Sequence, residues 1–228
     1  MRKATHVVTA AVVGRQFDGD PNLVVPARPR LPPEILVLPF APDGLLFVGT
    51  EHMQLIRGVA ARTALPPLLR LMDGQRRLED IARVAPGLGP PEVRDIVALL
   101  CSRGLLEDGR PPTPRPGLED VDAFLGRFLD VTRVNRNRGE ALDRLAEASV
   151  LLAGSSDGVD LMAAQLRGCG IGRVRLARES APGGDRHSLV VVVVTRDRDD
   201  PRTVIEAARL RGDMVFVVVV GRSSTQIG

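Results

Sequence analysis

The sequence predicts an α/β protein in two parts: a small N-terminal winged helix-turn-helix unit (α+β), then a partial doubly wound parallel sheet. Three observations predict this. Residues 33–109 hold three short apolar runs followed by three helical patterns, the element order of a winged helix-turn-helix. Val150-Leu-Leu-Ala-Gly154 runs through a glycine turn into a helical pattern and then into Gly172-Arg-Val-Arg-Leu176, as a nucleotide-binding βαβ unit begins. Ser188–Arg196 and Asp213–Gly221 are nearly continuous β-branched runs around a further helical pattern, as expected of strands buried on both faces of a parallel sheet.

In chain order, residues 1–32 are expected to form an extended N-terminal segment, ending in the proline-rich stretch VPARPRLPP. MRKATHVVTAAVVG is a poor signal peptide, because its apolar run is short and His6 interrupts it. EILVLPF (34–40), GLLFVG (44–49) and HMQLIRGV (52–59) read as strands, joined by APDG and GTE, which have hairpin-turn composition. The helical candidates are 64–74, 76–87 and 90–104, each closed by Gly and two of them opening near Pro. In the third, Val93, Ile96, Val97 and Leu100 follow i, i+3, i+4, i+7. RPPTPRPG (110–117) is the linker, its four prolines holding it semi-extended. Residues 118–228 form the second part: helical from 118 to 148, then the βαβ unit, then DPRTVIEAARLRG (200–212) between the two valine runs. The chain reaches GRSSTQIG directly after a strand, so a four-stranded sheet is expected that is unfinished, the chain being a fragment or a partner completing the sheet.

Composition excludes several functions. The chain of 228 residues is 44% hydrophobic, with six Phe and neither Trp nor Tyr; it can bury a core, but it lacks the ring platforms that stack single-stranded nucleic acid. Net charge is +3. The helix at 90–104 carries only Arg94 and Arg103 as cations, beside Glu92 and Asp95, too few for a phosphate-binding face. Cys101 and Cys169 have no CxxC partner, and His6, His52 and His187 are dispersed, so no metal site is expected and a reducing cytoplasm is. The valine runs are too short to span a bilayer.

The glycine turn is Gly154-Ser155-Ser156-Asp157-Gly158. Gly154 can make the turn and Gly158 can serve helix packing, but Ser156 stands where glycine would admit phosphate and Asp157 would repel it. At the end of the second strand stand Arg178 and Glu179, and Glu179 is a weak substitute for a ribose-binding acid.

Two resemblances follow from these residues. Leu145-(x4)-Val150-Leu-Leu-Ala-Gly154, with Leu166-(x3)-Gly170-Ile-Gly-Arg-Val-Arg-Leu176, resembles the entry to the ThiF/MoeB adenylating fold, over about residues 120–221. The resemblance implies ATP held by a glycine-rich turn, a ribose-binding Asp, and an Asn-x-x-Arg stretch with Lys. Here only the damaged turn is present, APGGDRHS stands where that stretch belongs, the one lysine is Lys3, and Asp197 alone matches the family's magnesium-binding Asp. No bound cofactor is expected. LPPEILVLPF, HMQLIRGVAA, DGQRRLEDIA and EVRDIVALLCSRGLLEDG resemble the PqqD-like RiPP recognition element, whose members bind the leader of a ribosomally made precursor peptide. That resemblance implies strand addition along Gln54, Leu55, Ile56, Arg57, Gly58 and Val59, with Arg94, Val97, Ala98 and Cys101 facing the groove and Arg57 and Arg94 meeting acidic leader residues. On the residues alone, Val97 reads equally as core and Arg57 as an edge charge that blocks aggregation.

Together the two resemblances imply a non-catalytic adaptor of azoline-forming cyclodehydratases. It would bind the precursor leader and present it to a separate YcaO-type protein, as a homodimer, without nucleic acid or membrane. An adenylating enzyme with a divergent turn and a winged-helix DNA-binding regulator are the alternatives.

Overall fold

The computed structural model describes residues 9–20, 23–110, 113, 115–128, 134–154, 157–177, 189–195, 202–220 and 225–227. The chain divides into two compact units, Met1–Arg115 with Glu119–Ala141, and Pro116–Leu118 with Leu142–Gly228. The helical stretch after the linker is therefore shared between them.

The first unit opens with helix α1 (Ala10–Gly19), within residues 1–32, which were expected to run extended. Val13, Gly14 and Phe17 fall on one helix face and are buried. β1 (Pro29–Arg30) follows and pairs antiparallel with β5 (Glu107–Asp108). β2 (Leu36–Phe40), β3 (Gly44–Val48) and β4 (Gln54–Arg57) form a three-stranded antiparallel sheet in that order. Gly58, at φ +117°, ends β4. The chain turns there into α2 (Val59–Thr63), which replaces the end of the expected third strand. α3 (Leu65–Leu71), α4 (Leu78–Val84) and α5 (Pro90–Ser102) lie within the expected helices. Their Leu65, Leu68, Leu69, Ile81, Val93, Val97 and Leu100 meet Ile35, just before β2, and Leu45 and Phe47 of β3 in one core.

A buried ionic cluster ties this unit to α6 (Glu119–Arg127) and the start of α7 (Arg138–Glu147). The Arg138 guanidinium donates to both oxygens of Glu34 at 2.8 Å, to Glu107 Oε1 at 2.8 Å and to Asp122 Oδ2 at 3.2 Å. Glu107 Oε2 also accepts from Arg30 Nη2 at 2.9 Å. A Cβ at Gly126 would lie 2.4 Å from Arg138 Cζ, so glycine makes room for the guanidinium. The hydrogen bond from Arg138 holds the Glu34 carboxyl below its ordinary 4.5, although burial pulls the other way. For a carboxylate with a lowered folded pKa, the stabilisation is present above the unfolded pKa and is lost as pH falls through the folded value. The urea midpoint of this unit is thus expected to drop on acidification below about pH 4.5, and Glu34→Gln to remove part of that slope. An unchanged slope in Glu34→Gln contradicts the assignment.

The second unit is a doubly wound sheet. β6 (Ser149–Ala153), β7 (Arg173–Leu176), β8 (Leu189–Thr195) and β9 (Val215–Val220) are parallel, in the order β7-β6-β8-β9. The valine runs alternate between two cores. Val191, Val193 and Val218 join Val150, Leu152 and residues of α8 (Asp157–Gly168). Val190 and Val192 join Leu151, Ala153 and Ala208 of α9 (Arg202–Arg211). With a helix on each face, the strand has no polar side, which is why the run is continuous. The sheet is not left at four strands: β10 (Thr225–Ile227) pairs antiparallel with β9. No helix among the described residues is long and apolar enough to cross a membrane.

Candidate functional site

The open border of β4 is the first candidate. β4 pairs with β3 through Gly44↔Arg57, Leu45↔Ile56, Leu46↔Leu55 and Phe47↔Gln54, and among the described residues no strand pairs with its other edge. The ladder decides which backbone groups are free. Gly58 N donates to Asp43 O at 2.9 Å, so the Asp43–Gly58 pair is a hydrogen-bonded one. Antiparallel pairs alternate, so Ile56 and Gln54 bond to β3, whereas the N–H and C=O groups of Leu55 and Arg57 turn outward. Two successive outward pairs make a template for a further strand.

Side chains sort by the same alternation. Ile56 packs against the core. Leu55 and Arg57 are exposed on the outer face, where Leu55 lies in register with Leu46 and Leu38. That outer face is apolar: Leu36 is 58% exposed, Leu38 46%, Phe40 39% and Leu55 42%. A sheet covered on one side ordinarily turns polar residues outward. Sequence reasoning passed over this face, although the signal was there: ILVLPF carries no polar residue on either face. Arg57 holds its guanidinium 5.6 Å from the centre of the Phe40 ring. Val59 is 79% exposed on α2.

The residues expected to line a groove on the third helix are placed differently. Val97 is fully buried in the main core, because it falls on the same stripe as Val93 and Leu100. Ala98 and Cys101 are covered by α1, packed against Val13 and Phe17. Arg94 pairs with Asp18 of α1. α1 thus occupies the flank of α5 that carries Ala98 and Arg94, while Cys101 lines a cavity of about 400 Å³ together with Val24, Leu106 and Leu125. The expectation had no occupant for that flank because α1 was read as extended chain.

The glycine turn is the second candidate. It follows β6, at the point where the parallel sheet reverses its winding between β6 and β8, the place where doubly wound sheets bind ligands. Gly154 sits at φ +147°, and a Cβ there would lie 2.6 Å from Val193 O and 3.0 Å from Val159 Cγ2. The space that glycine leaves is filled by the protein's own β8 and α8. Gly158 is exposed, and Val159 makes the packing contact expected of it. Ser155, Ser156, Arg178, Glu179, Asp197, His187 and the Asp157 side chain lie outside the described residues. What is described gives this glycine a steric duty, and the rest of the turn that would meet a phosphate lies outside the described residues. Among the described residues no group of His, Cys, Asp and Glu could hold a metal.

No protein-family model and no curated protein matches the chain. Solved structures do. A heterocyclase in complex with substrate and cofactor is 21% identical, with a TM-score of 0.53 over 84% of this chain and 24% of its own. The heterocyclase TruD is 18% identical, TM-score 0.50, over 85% and 26%. E. coli MccB is 11% identical, TM-score 0.63, over 88% and 68%. The chain spans about a quarter of the length of the two heterocyclases. At these identities the likeness is one of fold: the mixed α/β architecture with its parallel sheet is the one these heterocyclases and MccB contain.

Proposed function

We propose that this chain is a non-catalytic adaptor with an N-terminal recognition element. It binds the leader of a ribosomal precursor peptide by strand addition at β4 and delivers it to a separate YcaO-type cyclodehydratase for azoline formation. The observation that carries the reading is the β4 edge, unpaired among the described residues, with the backbone groups of Leu55 and Arg57 directed outward. An extended peptide gains main-chain hydrogen bonds there without any change in the sheet. The fold shared with a heterocyclase solved with its substrate supports the setting. The parallel sheet serves as scaffold, with the homodimer forming through it. Tethering by the leader raises the local concentration of the peptide's Cys, Ser and Thr residues at the partner's active site, so that site needs little affinity of its own.

The test is a polarisation titration of the precursor leader against the wild-type chain and Leu55→Pro. Proline at Leu55 removes an outward donor but no bond to β3, so the sheet persists. Leader affinity is expected to fall by more than about tenfold, the loss of one backbone hydrogen bond plus the ring's obstruction of the edge. Unchanged affinity in Leu55→Pro removes the strand-addition reading.

A further inference from the structure

We infer that the β4 edge reads a short sequence rule: an acidic residue followed two places later by an aliphatic one, in an antiparallel strand. The inference rests on the strand-addition reading and adds what the incoming strand must contain.

Register sets the positions. Leu55 and Arg57 turn their backbone groups outward, so each exchanges hydrogen bonds with one residue directly opposite on an added strand, and opposite residues share a face. In an antiparallel strand the residue opposite Arg57 comes first and the residue opposite Leu55 comes two places later. The residue between them points to the other face, beside the half-buried Ile56. Antiparallel pairing continues the pattern of β2, β3 and β4 and is the more stable per residue.

Chemistry sets the residue types. Arg57 is exposed and, among the described residues, makes no ion pair. Phe40 steadies its guanidinium from one side, leaving N–H donors for a carboxylate. The first unit's other cation near the expected groove, Arg94, is already engaged by Asp18. Opposite Leu55, an aliphatic side chain extends the row Leu38–Leu46–Leu55 and removes apolar surface from water on both sides. A charge placed there loses hydration beside three aliphatic groups and gains no partner.

The test uses the full chain and three short fluorescein-labelled peptides in a common threonine-rich host, centred on Glu-Val-Leu, Lys-Val-Leu or Leu-Val-Glu. Glu-Val-Leu is expected to bind tightest, Lys-Val-Leu roughly three- to tenfold more weakly, as for a cross-strand charge pair turned repulsive. Arg57→Glu is expected to invert the order of those two. Equal affinities, a preference for Leu-Val-Glu, or no inversion in Arg57→Glu overturns the rule, yet leaves strand addition standing if Leu55→Pro still abolishes binding. Binding of every peptide that is indifferent to Leu55→Pro overturns strand addition and the rule with it. No binding of any peptide at millimolar concentration counts against both.

Discussion

Arg138→Ala is expected to cost the first unit roughly 3–5 kcal/mol, the cost of leaving buried carboxylates without their cation. Arg138 is 3% exposed and Glu107 1%. Three carboxylates converge on the one guanidinium, and burial, which by itself favours the neutral form, is outweighed by Glu34 and Glu107, so the guanidinium is held charged. After truncation Arg30 still faces Glu107 Oε2 at 2.9 Å, but Glu107 Oε1 and both Glu34 oxygens lose their donor. Hydrogen exchange read over residues 34–48 and 107–108 reports the loss locally, since amide opening there follows the stability of this unit. The triple variant Arg30→Met, Glu107→Leu, Arg138→Met removes the buried charges together and is expected to be less damaging than Arg138→Ala alone. If the triple variant is the worse of the two, the cluster contributes by attraction and not by satisfying its own desolvation.

Gly172→Ala is expected to cost the second unit about 3 kcal/mol or more, at the upper end of overpacking effects. A Cβ at Gly172 would lie 1.7 Å from Ala146 O and 2.7 Å from its carbonyl carbon. Both are backbone, so no rotamer relieves the clash. The two segments are also held together: Gly172 N donates to Leu145 O at 3.0 Å and Arg173 N to Ala148 O at 3.1 Å. Moving either one breaks the entry of β6 or β7. Gly168→Ala is the control, because nothing lies within 4 Å of its Cβ position and alanine suits a helix better than glycine. Faster exchange at β6 and β7 in Gly172→Ala, with Gly168→Ala at or above the parent, is the expected pair of results. Equal behaviour of the two variants contradicts the placement of α7 against Gly172.

The Gly172 case shows what the sequence motif was reporting. The stretch Gly170-Ile-Gly-Arg-Val-Arg-Leu176 carries the likeness to adenylating folds, and its second glycine is needed where the chain passes the end of α7. Gly154 is similar: its turn is demanded by Val193 and Val159. Glycines placed for backbone clearance survive in a fold whether or not a phosphate is bound, which is why the motif alone could not separate a working nucleotide turn from a structural one.

Elsewhere legibility followed the range of the interaction. The valine runs, the helical stripe of Val93, Val97 and Leu100, and the proline and glycine ends of α5 were readable because period and steric punctuation act within a few residues. α1, α2 and β10 were not. α1 has ten residues including Gly14 and Gly19, too short to be helical without its packing against α5. β10 has three residues, too few for any pattern to register.

By itself the sequence determined the mixed α/β class with its parallel sheet, the strands that carry apolar runs, and the proline and glycine ends of the helices. Those are local properties of period, chirality and volume. Only the tertiary structure decided that one flank of α5 is covered by α1, that Leu36, Leu38 and Leu55 on the outer face of the small sheet are exposed, and that, among the described residues, Leu55 and Arg57 point their backbone groups to an unpaired edge. Whether a face or an edge is free depends on what else in the chain comes to lie against it, and no window of sequence contains both partners.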